Sequence, residues 1–260
     1  MSDLRWVKLE SSESGVRTLV LDRPPVNALG RELVDDLTVA LGRLKRDEEA
    51  RCLVVRPAGA HFCAGADLKE RCTMSLEDVR KFVPRLAGIC NSLAGIPYPT
   101  IAAVRGAAAG GGCELALACD LRVLAEDAKI GLRETALAII PGAGGTQRLP
   151  RMIGPARAKR WIFSGKMHTA TEALSDGVAD QVVPDHHLNR QVQELAETIA
   201  ACGPLANRLA KRAIDEGSDL PLERALQLEW EYYQETLHTA DRVEALKAFA
   251  EKRAPRFEGK

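Results

Sequence analysis

Two glutamates stand almost alone in the least charged parts of this 260-residue chain. Glu114 lies in Ile101–Asp120, IAAVRGAAAGGGCELALACD, where Arg105 is the only other charge before the closing aspartate. Glu134 lies in Ile130–Gln147, IGLRETALAIIPGAGGTQ, where Arg133 is the only other charge. A buried carboxylate costs several kcal/mol unless it is paired or protonated, so a fold keeps one mainly for a purpose. Two of them, each beside a glycine-rich run, suggest a paired acid/base site facing backbone that a ligand can approach. Pairing of each with its neighbouring arginine is the alternative.

The glycine-rich runs are the second feature. Ala109–Glu114, AGGGCE, sits between a strand-like run and an apolar one. Glycines at a helix start leave unpaired backbone N–H groups open, and these can bind a phosphate or a carbonyl oxygen that gains negative charge. His61–Glu70, HFCAGADLKE, has the same character, and Pro141–Gln147, PGAGGTQ, reads as a loop. Taken one at a time, the glycines are explained more simply by close packing of strand against helix. Neither G-x-x-x-x-G-K-[ST] nor a full G-x-G-x-x-G after a strand is present, and no G-x-S-x-G elbow exists. Nucleotide-binding fingerprints and a serine hydrolase are set aside on that ground.

Alternating strands and helices must carry these residues. Strand-like runs fall at Trp6–Glu10, Arg17–Asp22, Arg51–Arg56, Thr100–Val104, Leu121–Ala125, Lys129–Leu132 and Gly177–Val183. Leu33, Leu37, Leu41 and Leu44 form one stripe of a helix over Arg31–Asp47. Ser75 with Asp78 three residues later opens another that reaches about Leu93. From residue 185 onward only helical patterns follow: His186–Ala201, Pro204–Glu216, Leu220–Leu237 and Thr239–Arg253. The fold class is therefore α/β with parallel strands, divided as a core over 1–195 and a C-terminal helical subdomain over 196–260.

Bulk properties narrow the partners. Thirty-six basic residues balance 36 acidic ones, which gives no electrostatic reason to expect nucleic acid or an anionic membrane. Seven cysteines, with no C-x-x-C among them, read as reduced thiols of a cytosol-like compartment rather than a disulfide scaffold or zinc site. The adjacent His186 and His187 have no companion ligands and read as a surface pair. The apolar region 101–119 is broken by Arg105, Glu114 and three glycines, so no membrane span is expected. No secretory or transit signal opens the chain, and a cytoplasmic protein is expected, or one of the mitochondrial matrix if a presequence has been removed.

Four pieces in order resemble the crotonase, or enoyl-CoA hydratase/isomerase, superfamily: FCAGADLKE, PTIAAVRGAAAGGGCELALACD, GLRETALAIIPGAGGTQRLPR and AFAEKRAPRF. GADLKER and GGTQRLPR are most similar to the methylglutaconyl-CoA hydratase group within it. The resemblance implies a spiral of ββα units with a trimerising C-terminal layer, assembled as a homotrimer or homohexamer. It also implies an acyl-CoA thioester substrate, with no cofactor beyond the CoA that the substrate carries. By motif, the thioester oxygen would be held by the amides of Ala66 and Gly111, with Glu114 and Glu134 sharing a water. Which acid is formally the base stays open. CoA contacts carried over are Val26, Ala28, Ala64, Asp67, Leu68 and Lys69, with Phe249 and Lys252 reaching a neighbouring subunit. Arg133 is a candidate for holding a distal substrate carboxylate. Enoyl-CoA isomerisation and short-chain hydration are the nearest alternatives. A relative in the methylglutaconyl group also binds AU-rich RNA, but Asp47, Glu48 and Glu49 offset the basic residues of LGRLKRDEEAR, so RNA is not expected here.

Overall fold

The computed structural model describes residues 4–260. Its strands are β1 (Val7–Ser11), β2 (Val16–Leu21), β3 (Cys52–Pro57), β4 (Thr100–Val104), β5 (Ala107–Ala109), β6 (Leu121–Ala125), β7 (Lys129–Gly131), β8 (His168–Thr169) and β9 (Gln181–Val183). The helices are α1 (Arg31–Leu44), α2 (Leu68–Arg71), α3 (Leu76–Ala94), α4 (Gly111–Leu117), α5 (Gly145–Ile153), α6 (Pro155–Ser164), α7 (Ala170–Asp176), α8 (Leu188–Ala200), α9 (Pro204–Gly217), α10 (Leu222–Thr236) and α11 (Ala240–Glu251). A 3-10 turn spans Glu134–Leu137.

The large sheet runs β1-β2-β3-β4-β6-β9, antiparallel only between β1 and β2. Its inner strands, β2, β3, β4 and β6, are largely aliphatic on both faces, as expected of a covered parallel sheet, and all five residues of β4 are buried. α8 packs across β3, β4 and β6. Ser75 and Asp78 form a reciprocal capping box that starts α3, so this expectation holds to the residue.

The small sheet, β5-β7-β8, positions the chemistry. Twice the chain runs from a large-sheet strand to a small-sheet strand and then to a helical turn: β4, β5, α4, and then β6, β7 and the 3-10 turn. β5 and β7 pair in parallel, with Ala109 opposite Gly131. Glu114 follows β5 and Glu134 follows β7, so both acids leave the same end of one ladder. Twenty residues of separation in sequence become neighbouring positions in space.

Several elements differ from the sequence reading. The strand expected over Gly177–Val183 is confined to Gln181–Val183, because Gly177 is the left-handed cap of α7 at φ +86°. The loop expected over Pro141–Gln147 turns at Gly144 into α5. α6 and α7 carry signals that periodicity alone passed over: Pro155 in the first turn of α6 and a Thr169–Glu172 capping box for α7.

The C-terminal helices are tied to the core by side chains on both sides, with Arg208 of α9 donating to the Glu48 and Ala50 carbonyls at 2.9 and 3.0 Å. Lys211 of α9, its side chain 8% exposed, ion-pairs with Asp120, which also binds the Thr100 backbone N–H and hydroxyl. The end of the chain folds back, with Asp241 accepting from the Glu258 and Gly259 amides at 2.7 and 2.9 Å. Only Tyr232 is buried in α10, and Leu222, Leu226, Trp230 and Tyr233 are exposed along it. A cavity of about 650 Å³ lies between α9, α10 and α11, and its lining includes none of the residues around Glu114 and Glu134.

Candidate active site

The three glycines of the AGGGCE motif have three different reasons. Gly110 is at φ +53°, and a Cβ there would stand 2.8 Å from Glu134 Oε1. Its amide donates to the Gly131 carbonyl at 2.8 Å, extending the β5–β7 ladder by one step. A Cβ on Gly111 would meet Leu29 Cδ1 at 3.1 Å and the Ala66 nitrogen at 3.9 Å. On Gly112 it would come within 2.0 Å of the Cys63 carbonyl oxygen. Gly112 is there for close approach, while Gly110 and Gly111 clear space beside a carboxylate and an amide.

The segment 63–67 is held from two sides. Cys63 donates to the Ala107 carbonyl and accepts from Ala109, both at 3.0 Å. Leu29 then brackets Ala66, donating to Gly65 at 2.7 Å and accepting from Asp67 at 3.2 Å. That pattern turns the Ala66 N–H away from Leu29. Gly111 is the first residue of α4, where an N–H has no partner within the helix. Among the described residues, neither amide has a protein acceptor. The structure therefore brings two free N–H donors together from segments 45 positions apart.

The acids are buried but held unequally. Glu114 is 3% exposed, and its Oε1 accepts from the Ala143 and Gly145 amides at 2.7 and 2.8 Å. Burial raises its pKa, while those two amides and the Arg148 charge pull the other way. Glu134 is 9% exposed, and its Oε2 is buried with no hydrogen-bond partner. Burial first, and the Glu114 charge second, push its pKa up to about 7. The neighbouring arginines do not neutralise them. Arg105 bonds to Asp185, its Nε 3.1 Å from the carboxylate, and Arg133 is exposed. No group of His, Cys, Asp and Glu among the described residues could hold a metal ion.

The other sequence-derived positions fall into two groups. Val26, Ala28, Ala64, Asp67, Leu68 and Lys69 lie on two segments tied to each other. The Val26 carbonyl accepts from Ala64 at 2.9 Å, and Arg23 bonds both the Ala28 carbonyl, at 2.6 Å, and Asp67, at 2.8 Å. Asp67 also caps α2 through the Lys69 and Glu70 amides. Leu68 and Lys69 are exposed. Phe249 is 86% exposed on α11, and Lys252 caps that helix in the left-handed conformation at φ +54°. Both belong to the C-terminal layer, and no hydrogen bond or ion pair joins them to the cluster around the acids among the described residues.

Sequence reasoning missed Ala143, Gly145 and Arg148. The loop reading of Pro141–Gln147 hid the fact that two of its amides hold Glu114. The available signal was a Gly-Gly pair ahead of an apolar helical stripe, which marks a helix start rich in free donors.

The enoyl-CoA hydratase/isomerase family matches residues 11–260. The mitochondrial methylglutaconyl-CoA hydratase of Homo sapiens is 44% identical over 263 residues, 99% of this chain and 78% of that protein. A probable mitochondrial enoyl-CoA hydratase 2 of Arabidopsis thaliana is 45% identical, over 97% of this chain and 84% of its own. The solved enoyl-CoA hydratase from Bacillus anthracis superposes with a TM-score of 0.96 at 44% identity, covering 98% of this chain and all of its own, 100%.

Proposed function

Because this chain belongs to the enoyl-CoA hydratase/isomerase family and has the crotonase fold, we propose that it adds water reversibly across the 2,3 double bond of an enoyl-CoA, with 3-methylglutaconyl-CoA as its acyl group. The observation that carries this reading is the unequal pair of buried acids beside two free amides. Glu114, with hydrogen bonds favouring its ionised form, takes a proton from water as the oxygen attacks C3. The π electrons move toward the thioester oxygen, where the Ala66 and Gly111 N–H groups meet the developing charge. Glu134, titrating near 7, delivers its proton to C2. Preplaced donors of this kind are worth roughly 10²–10³ in rate each, and positioned acid/base groups about 10²–10⁴.

The pair carries one proton before addition and one after it, so hydration and dehydration use the same total charge state. A bell-shaped pH profile is expected, with its alkaline limb near 7. An isomerase reading would move a proton with one acid and leave the second idle. Retention of both acids favours hydration.

The methylglutaconyl substrate is supported by the activity for which the human relative is named and by the exposed cation at Arg133 next to Glu134. The expected result is loss of enoyl conjugation with 3-methylglutaconyl-CoA at least as efficient as with crotonyl-CoA. Arg133→Leu should raise KM for the first substrate selectively. An equal effect on both would remove Arg133 from substrate recognition, and a clear preference for crotonyl-CoA would replace the substrate by a short-chain one. The exposed apolar stripe of α10, with Val243, Leu246 and Phe249 of α11, fits a homotrimer or hexamer joined through 196–260. No helix among the described residues is long and apolar enough to cross a membrane. The mitochondrial relatives suit a matrix setting, and the bacterial ones the cytoplasm.

A further inference from the structure

We infer that Arg148 is a positioning residue for Glu114: it anchors the segment whose amides hold that carboxylate and supplies a compensating positive charge. The inference rests on the role given to Glu114 above. Arg148 lies one turn into α5. Its guanidinium turns back under the preceding loop and donates to the Ala143 carbonyl at 2.9 Å. A second arm donates to Asn91 Oδ1 of α3 at 2.7 Å. Ala143 is therefore gripped at both ends, with its N–H on Glu114 Oε1 and its C=O on Arg148.

Gly144 shows how closely the guanidinium is fitted. Its φ is +113°, and a Cβ there would lie 2.0 Å from an Arg148 terminal nitrogen. The left-handed turn thus leaves room for the cation beneath the peptides that flank the two donating amides. Asn91 in turn ties this assembly to α3, which packs on α4, the helix carrying Glu114. α5, α3 and α4 close a loop of contacts around one carboxylate.

The charges facing Glu114 can be enumerated by element. α5 contributes Arg148, and α3 contributes the buried Cys90 thiol, which burial keeps neutral. β5 contributes only alanines. Cys113, beside Glu114 in α4, is likewise buried and neutral. Glu134 faces it from the 3-10 turn. Arg148 is the cation acting on Glu114, and it is absent from the charges acting on Glu134. Losing it should move one limb of the pH profile and leave the other in place, a signature that general loosening of the fold would not give.

The test is the pH dependence of kcat/KM for crotonyl-CoA hydration in parent, Arg148→Gln, Arg148→Lys, Asn91→Ala and Glu114→Gln proteins. Arg148→Gln should raise the acid limb by about one pH unit with the alkaline limb unmoved, and lower plateau kcat about tenfold through misplacement of Glu114. Arg148→Lys should keep the acid limb where it is and still lose kcat, because a point charge cannot make the forked contact to Ala143 and Asn91. Asn91→Ala, at an exposed position, should lower kcat without moving either limb, and it carries the test if Arg148→Gln does not fold. Parental limbs together with parental kcat in Arg148→Gln would overturn the inference, as would parental kcat in Asn91→Ala. Glu114→Gln separates the two layers: an active Glu114→Gln enzyme sinks the reading of the site itself, whereas an inactive one beside an unaltered Arg148→Gln sinks only the role of Arg148.

Discussion

Glu134→Gln should lower hydration by about 10²–10⁴-fold and, in the same protein, flatten the loss of stability between pH 5 and pH 8. The first effect follows from removing the proton delivered to C2. The second follows from linkage. Glu134 has a folded pKa of about 7 against an ordinary value of 4.5, so the native state binds its proton more tightly than the unfolded chain does. Below pH 4.5 both states are protonated and the site costs nothing. Between 4.5 and 7 the unfolded chain releases its proton while the native one keeps it, and stability falls as pH rises. Above 7 the penalty levels off at up to about 3 kcal/mol. Glutamine does not titrate, so the gap in melting temperature between variant and parent should widen in the variant's favour from pH 5 to pH 8. Parallel melting curves across that range would show that Glu134 is not desolvated in the way its unpartnered Oε2 implies.

Gly112→Ala should be among the most damaging single methyl additions at the described glycines. The added carbon would lie 2.0 Å from the Cys63 oxygen and 2.7 Å from its carbonyl carbon, and both are backbone atoms. No side chain can rotate away, so α4 must retreat from the segment 63–67. Overpacking of this kind costs roughly 1–3 kcal/mol or more. The displacement also separates the Ala66 and Gly111 amides, with an expected rate loss of about 10²–10³. Gly88→Ala is the control: it lies in α3 with nothing within 4 Å of its Cβ position, and it should leave both urea midpoint and kcat unchanged or slightly improve the first. A Gly112→Ala protein with parental midpoint and kcat would contradict this close approach of α4 to Cys63.

How much of this could be read from the chain depends on whether the signal was local. Glu114 and Glu134 stood out because a lone acid among small apolar residues is a local anomaly, and α3 was readable because its capping box is local too. The class of fold followed from alternating apolar periods. What could not be read was contact between segments. β5 and β7 are three residues each, too short for a period-2 pattern, yet their pairing is what aligns the two acids. The holding of Glu114 by Ala143 and Gly145 uses backbone amides, which leave no side-chain signature. Arg105 and Arg133 looked like counter-ions from proximity in sequence alone, and the strand directions sent them elsewhere.

The ladder that joins Ala109 to Gly131 has a consequence for how such a protein can change. Neighbouring strands of a sheet lie about 4.8 Å apart whatever the connecting chain does. The relative placement of the two carboxylates is therefore set by hydrogen-bonded backbone and not by the number of residues between them. The exposed residues 138–140 lie outside that ladder and can change composition, so the surroundings of the two carboxylates can vary while their own alignment is kept.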